Sequence, residues 1–364
     1  MFTMQSRMLP GLVLAAALAG CAGQAEDLNE AESIESSTQA LQTSEVTFPV
    51  SVRGTGTATI HAVIYNNNAI ASGQTALAVH GLTGTGNNWD QLAPALFGDK
   101  LVGKKLKRVV AIDFIGHGKS SYPQNLPNGT FGQLTIDDNV SVLIQSIAAL
   151  RSRQLAPQAI IGHSMGGLAI QAAQQALLNQ NSSLAALGIN KAVLFAPVPP
   201  RDRPWVRPPS GDVSPFLVTD PVLGTYLSLP PGVGGSFLTL AGTPAPNAPT
   251  NAEIVSRGYL GIEPFVTLAQ LGGAPIPLPT GGTFVLPLPA VSAGAFAPSR
   301  GTVLALVSFS QDVLVPATNL PDLYTYLTGD TSKLLYVPIV TADAVHGMIM
   351  SNAPGILASV RALF

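Results

Sequence analysis

The chain holds 364 residues, 46% of them hydrophobic, 10% charged and 6% aromatic, with a formal net charge of −2. So apolar a chain is not disordered, because disordered chains are polar and charged; its charge leaves no footprint for nucleic acid; and one cysteine excludes a disulfide framework or a cysteine-built zinc site. The length allows one large α/β domain or two small ones, in a globular protein that is secreted or tethered to a membrane.

Arg7 is the only basic residue before Arg53 and precedes an apolar run from Met8 to Ala19. About 20 apolar residues would be needed to span a bilayer, so this run reads as the core of a secretory signal. It ends in Leu18-Ala19-Gly20-Cys21, where the only cysteine sits. That tetrapeptide resembles the lipobox of bacterial lipoproteins. The resemblance implies that residues 1–20 are a signal peptide, that the Cys21 thiol is lipidated, and that a lipid anchor holds the mature chain to a membrane. Ala22 in place of aspartate resembles outer-membrane sorting in the enterobacterial pattern, which puts the protein in the bacterial cell envelope. Residues 21–45 carry six acidic residues and no basic one, and read as a flexible tether with no packable face. Residues 46–364 retain 17 basic and 14 acidic residues, with Glu253 and Glu263 the only glutamates.

From residue 46 the apolar runs alternate in type. Thr47–Val52 and Ala58–Ile64 are β-branched and alternating, and predict an antiparallel hairpin. Short buried strands are predicted at Ala76–Val79, Arg108–Ile112, Ala159–Ile161 and Ala192–Phe195. Helices are predicted at Asn88–Phe97, with Asn87 as cap, at Ile136–Leu150 and at Met165–Leu178. This β-α-β-α order implies a mostly parallel sheet with helices on both faces. The rhythm breaks at Pro197. Residues 197–300 hold 20 of the 30 prolines and only short apolar stretches such as Phe216–Val218 and Phe237–Leu240. A strand at Thr302–Phe309, a short helix around Tyr324–Leu327, a strand at Leu334–Ile339 and a helix at Gly355–Leu363 then resume. The expected organisation is therefore one α/β core, residues 46–196 and 301–364, interrupted by a cap or lid insertion at 197–300.

The sharpest motif is Gly162-His163-Ser164-Met165-Gly166-Gly167, between a predicted strand and a predicted helix. A sharp strand-to-helix turn projects the serine hydroxyl, and glycines two before and two after leave room for it. With it come His80-Gly81-Leu82 after a short strand, Asp113-Phe114-Ile115-Gly116-His117-Gly118-Lys119-Ser120, and a histidine after the last strand. Together these resemble the α/β-hydrolases, respectively their nucleophile elbow, the HG of the oxyanion loop, the D-x-x-G-H-G-x-S turn of the cap-bearing branch, and the C-terminal histidine. The resemblance covers most of residues 46–364 except the insertion.

It implies a fold whose triad runs Ser, acid, His in the chain. Of His61, His80, His117, His163 and His346, only His346 follows Ser164, and it would be the base. The neighbouring His163 is expected to be turned away. The acid should follow the strand that resumes after the insertion. Asp312, in Asp312-Val313-Leu314-Val315-Pro316, resembles the family's D-x-x-V-P turn there; Asp343 is the rival. The oxyanion hole would be the backbone N–H groups of Leu82 and Met165. Asp113 and His117 read as residues that fix loops, Trp89 and Trp205 as core or pocket lining, and Arg201, Arg203 and Arg207 as a solvated cap edge. No metal or other cofactor is implied. The reading is a serine hydrolase acting on a small-molecule carboxylic ester with apolar acyl or alcohol parts. An acyltransferase or peptidase on the same scaffold, and a catalytically silent binding protein, stand beside it. The sequence does not fix an oligomeric state.

Overall fold

The computed structural model describes residues 42–203, 214–233, 249–272, 276–277 and 283–361. Cys21, the signal segment, Trp205, Arg207 and Phe237–Leu240 lie outside these. The first strand, β1 (Gln42–Val52), begins four residues before the expected end of the tether. Gln42 to Glu45 pair with Asn66 to Val63 of β2 (Gly56–Asn66), so their backbone groups are laddered whatever the side chains. Phe48, Val50 and Val52 face the core while Pro49 and Ser51 face out, the period-2 pattern of a half-buried strand.

Among the described residues the central sheet has eight strands, in the order β1, β2, β4 (Leu106–Ile112), β3 (Gln74–Val79), β5 (Ala159–His163), β6 (Lys191–Phe195), β12 (Val303–Phe309) and β13 (Tyr336–Ile339). Its parallel members are β3, β4, β5, β6, β12 and β13. β2 pairs antiparallel with both β1 and β4. The parallel strands read as continuous apolar runs because both faces are covered; Ala76, Leu77, Ala78 and Val79 are all fully buried. The segment expected to form one helix from Asn88 is instead a 3-10 turn, Gly86–Trp89, followed by α1 (Leu92–Gly98). Its cap is Thr85, not Asn87: Thr85 is extended, its hydroxyl accepts from the Asn87 N–H, and the Asn88 side chain closes a capping box. Helix α2 (Ile136–Ser152) starts at a second capping box, Thr135 with Asp138. Helix α3 (Met165–Leu178) follows β5 directly.

Within the insertion, β7 (Leu217–Asp220), β8 (Gly224–Leu227) and β9 (Glu263–Pro264) form a small antiparallel sheet, and the two-residue strands β10 (Ile276–Pro277) and β11 (Thr283–Phe284) pair with each other. Helices span Asn251–Arg257 and Phe265–Gly272. The first leads straight onto the loop after β3: the Asn87 amide donates to the Arg257 carbonyl, the Thr85 hydroxyl to that of Gly258, and the Asn88 amide to that of Tyr259. The described part of the insertion is thereby fastened at the carboxyl end of the sheet, where open α/β sheets bind ligands.

Candidate active site

Four loops meet at that end of the sheet. Ser164 follows β5, the His80–Thr83 loop follows β3, Asp312 follows β12, and His346 follows β13. Ser164 has φ 54 and ψ −121, a left-handed backbone that a non-glycine residue adopts at a cost of order 1–3 kcal/mol. The turn is held from both sides: the Ser164 N–H donates to the Phe195 carbonyl, and the Ser164 carbonyl accepts from Gly167 and Val198. Gly166 of the motif is sterically required, and Gly162 is closely packed. A Cβ on Gly166 would lie 2.4 Å from the His80 carbonyl oxygen and 2.5 Å from that of Val79, and one on Gly162 would lie 2.4 Å from Ile170 Cδ1. This close approach sets α3 against β3, bringing the oxyanion loop beside the elbow; a Cβ on Gly81 would lie 3.0 Å from Ser164 Cβ.

His346 and Asp312 are both buried, with Nδ1 and Oδ2 2.7 Å apart. The other carboxylate oxygen, Oδ1, accepts from the N–H groups of Leu314 and Val315, each at 2.8 Å. A carboxylate only accepts, so Nδ1 of His346 carries the proton and Nε2 presents a lone pair. Asp343 instead accepts a hydrogen bond from the Asn352 amide and none from His346. No hydrogen bond joins Ser164 to His346 among the described residues; such bonds commonly tighten only when substrate binds.

His163 makes no hydrogen bond to Ser164 among the described residues and has a role of its own. Its Nε2 donates to the His346 carbonyl at 2.7 Å, and its ring lies 4.6 Å from the His346 ring, centroid to centroid. Burial, with the His346 charge adding to it, holds its pKa well below the usual histidine value. His163 is therefore a neutral prop under His346. No spacing rule marks this; the signal was only its adjacency to the elbow serine.

The expected oxyanion donors sit in well-held backbone. Met165 is the first residue of α3, so its N–H has no acceptor within the helix. The Leu82 N–H meets no protein acceptor among the described residues. His80 Nδ1 donates to the Gly81 carbonyl at 2.8 Å, and its Nε2 accepts from the Phe114 N–H at 3.1 Å. Burial first and the His117 charge second push its pKa down to about 3, in keeping with this neutral tautomer.

Asp113 anchors the next turn. It accepts from the Gly86 and Lys119 N–H groups, at 2.6 and 3.0 Å, and from His61 Nδ1 at 2.7 Å. Gly118, at φ 51, has no room for a Cβ, which would fall 2.3 Å from Asp113 Oδ2. His61 Nε2 also lies 3.3 Å from Glu45 Oε2, an ionic contact without hydrogen-bond geometry. Burial, the largest single effect, lowers the His61 pKa, but the Asp113 and Glu45 carboxylates together outweigh it and the net shift is upward. A polar cavity of about 370 Å³ lies beside His61, Asp113 and Lys119 and touches none of Ser164, Asp312 and His346. Trp89 is fully buried core, Arg203 stacks over the Tyr326 ring at 4.0 Å, and Arg201 lies 3.9 Å from Asp202 at the surface.

The profile of the alpha/beta hydrolase family matches residues 76–330. The chain belongs to this family. It is an alpha/beta hydrolase in fold and a hydrolase by class. No curated protein matches it. Among solved structures it is similar to a mutant N-acyl homoserine lactonase complexed with N-hexanoyl homoserine, at 15% identity and a TM-score of 0.52 over 87% of this chain and 94% of that one. It also aligns with the esterase domain of a Rhodothermus marinus protein, at 15% identity and a TM-score of 0.47 over 88% and 96% of the two chains. A serine hydrolase from the polyaromatic-hydrocarbon-degrading bacterium Cycloclasticus zankles aligns at 18% identity and a TM-score of 0.47 over 88% and 98%. At these identities the likeness is one of fold. The alpha/beta hydrolase core and the described parts of the insertion account for where every described candidate residue sits.

Proposed function

We propose that this hydrolase cleaves neutral carboxylic esters with apolar acyl or alcohol parts, using Ser164, His346 and Asp312. The observation that carries the reading is Ser164 on a strained strand-to-helix turn, at the end of the sheet where His346 commits its Nδ1 to Asp312. His346 Nε2 takes the Ser164 proton as Oγ attacks the ester carbon. The oxygen that becomes negative is met by the N–H groups of Leu82 and Met165, each such donor worth about 3–4 kcal/mol in the transition state. The imidazolium then returns the proton to the leaving alcohol. Water, deprotonated by the same Nε2, releases the acid and restores Ser164.

The preference for apolar substrates rests on the insertion. Beyond Val213 its only ionisable charges are Asp220, Glu253, Arg257, Glu263 and Arg300. Arg257 is turned to Asp90, 3.1 Å away, and Glu263 is buried against the core. A charge-poor cover buries an acyl chain at about 0.8 kcal/mol per methylene and offers nothing to a charged one. Ser164→Ala should fold and show no turnover of p-nitrophenyl esters, and a fluorophosphonate probe should label the natural chain alone. Retained activity or labelling in the variant would remove Ser164 from the mechanism.

The lipobox-like Leu18–Cys21 segment supports a second part of the reading: export, lipidation at Cys21 and tethering to the cell envelope, with the acidic segment as spacer. No helix among the described residues is long and apolar enough to cross a membrane. Cys21→Ser should move the protein from the membrane to the soluble fraction, and continued sedimentation with membranes would point to another anchor.

A further inference from the structure

Glu263 comes from the insertion, yet it is fully buried at the oxyanion loop. Its Oε2 accepts from the Thr83 N–H at 2.8 Å and from His117 Nε2 at 3.1 Å. His117 Nδ1 donates in turn to the Ile115 carbonyl at 3.1 Å. Both ring nitrogens thus face acceptors, so His117 is an imidazolium paired with the Glu263 carboxylate. Two residues earlier in the insertion, the Gly261 N–H donates to the Thr83 carbonyl at 2.6 Å. Thr83 is held by both its backbone polar groups, at φ 54, where a threonine does not settle unaided.

The position of Thr83 gives this clamp its meaning. Leu82 precedes it, and two peptide planes flank the Leu82 Cα. The Gly81–Leu82 plane is fixed through its carbonyl, which accepts from His80 Nδ1 and from the Gly84 N–H. In a trans peptide the Leu82 N–H then points the opposite way. The Leu82–Thr83 plane is fixed through the Thr83 N–H, and its acceptor is Glu263. His117 braces the arrangement by lying 4.9 Å, centroid to centroid, from the His80 ring.

We infer that Glu263 is a positioning residue for the oxyanion hole: its carboxylate pins the Leu82–Thr83 peptide, the second of the two planes that flank Leu82, so the insertion keeps the loop from turning the Leu82 N–H, held on its other side by the Gly81 carbonyl, off its aim. The inference rests on the ester-hydrolase reading and extends it, because it makes the insertion part of the transition-state machinery as well as a cover. Oxyanion stabilisation acts on the tetrahedral state and little on substrate binding, so loss of the pin falls on kcat.

The test compares Glu263→Ala with Glu263→Gln on p-nitrophenyl butyrate, alongside thermal melts. Glu263→Ala should lower kcat roughly 100-fold, the scale of a lost oxyanion donor, with KM within about threefold. Glu263→Gln keeps an oxygen that accepts from Thr83 and should stay within about tenfold of the natural enzyme. A folded Glu263→Ala enzyme with unchanged kcat, a loss confined to KM, or a glutamine variant no better than alanine overturns the inference. Should Glu263→Ala not fold, Gly261→Ala serves instead. Its Cβ would meet His117 Cδ2 at 2.9 Å and the Gly84 carbonyl oxygen at 3.2 Å, lifting the insertion off the loop with Glu263 intact. The same kcat-selective loss is expected there, and unchanged kcat overturns the pin. Amide hydrogen exchange at Thr83 separates this from the hydrolase reading, since it needs no turnover. It should quicken at least about tenfold when Glu263 or Gly261 is changed, because the donor is freed. Unaltered exchange in both variants overturns the pin even where ester turnover stands. Absent turnover in the natural chain, with exchange altered as expected, overturns the hydrolase reading and leaves the pin in place.

Discussion

Asp312→Asn removes one charge and almost no volume, and the structure dictates how the amide must sit. Oδ1 of Asp312 accepts from two backbone N–H groups, those of Leu314 and Val315. An amide NH2 facing two donors is untenable, so the asparagine carbonyl oxygen takes that place. The NH2 then faces His346 Nδ1, where a donor already stands. The conflict resolves when the imidazole proton moves to Nε2 and Nδ1 becomes the acceptor. His346 keeps its position but loses the lone pair that would take the Ser164 proton. Asparagine in place of a triad aspartate elsewhere costs about 10⁴ in kcat through this same change of tautomer, roughly 5.5 kcal/mol of barrier.

The expected result is therefore a kcat lower by about three to four decades, a KM close to the natural value, and a melting temperature that shifts little, since the hydrogen-bond count is preserved. Steady-state kinetics on a short p-nitrophenyl ester, with an active-site titration to exclude contaminating enzyme, reads it. Asp343→Asn is the control. Asp343 bonds to Asn352, not to the base, and that variant should stay within a few-fold. A loss below about tenfold in Asp312→Asn would show that tautomer control is not what the Asp312–His346 contact supplies; equal losses in the two variants would move the acid to Asp343.

Two further outcomes follow from the same geometry. His163 has its pKa depressed in the fold, chiefly by burial. The stability it contributes is complete above the unfolded value, near 6.5, and is withdrawn as pH falls toward the folded one. The melting temperature should then drop less steeply between pH 7 and pH 5 in His163→Gln, and identical slopes would show that His163 is not held neutral. Phe216, half-buried in the insertion, should matter to the acyl chain. Phe216→Asp should raise KM for octanoate esters about tenfold more than for acetate esters, since each buried methylene is worth about 0.8 kcal/mol. An equal effect on both lengths would take this part of the insertion away from the acyl pocket.

The parts of the fold legible in the sequence are those where one physical requirement governs a run of residues. Buried parallel strands need apolar stretches on both faces, so β3, β5 and β6 stood out. The bounds of α3 followed from the elbow serine before Met165 and the end of the apolar run at Leu178. Strand ends were harder: Gln42–Glu45 are polar and look like tether, but a ladder to β2 needs only their backbone. The cap at Thr85 was missed because Thr85 and Asn87 both suit a helix start, and the choice was made by Asn88 bonding back to Thr85. Glu263 was invisible as a loop-holding residue, since its partner Thr83 lies 180 positions away. The same holds for His163, whose role depends on where His346 returns to the sheet.

Three carboxylate–imidazole pairs stand at this end of the molecule, and their differences bear on the proposal that His346 is the base. Asp312 with His346, Asp113 with His61 and Glu263 with His117 share a construction: each carboxylate accepts one or two backbone N–H groups of a loop and one imidazole N–H. The pairs differ at the far side of the ring. His117 Nδ1 donates to the Ile115 carbonyl, and His61 Nε2 meets Glu45. Both rings stand between two oxygen-bearing groups, and both pKa values are raised: burial is the largest single effect and lowers them, but the acidic and acceptor groups around each ring together outweigh it. A doubly donating imidazolium, as at His117, has no lone pair to offer and serves only to hold its loop, while His61 Nε2 faces the Glu45 carboxylate without a hydrogen bond. Among the described residues no hydrogen bond occupies His346 Nε2. His61 also lies in β2, separated by β4 and β3 from the strand that leads to Ser164. The proposed mechanism therefore draws its base from the one ring of the three whose far nitrogen faces neither a hydrogen-bond partner nor a carboxylate among the described residues, on the loop that follows β13.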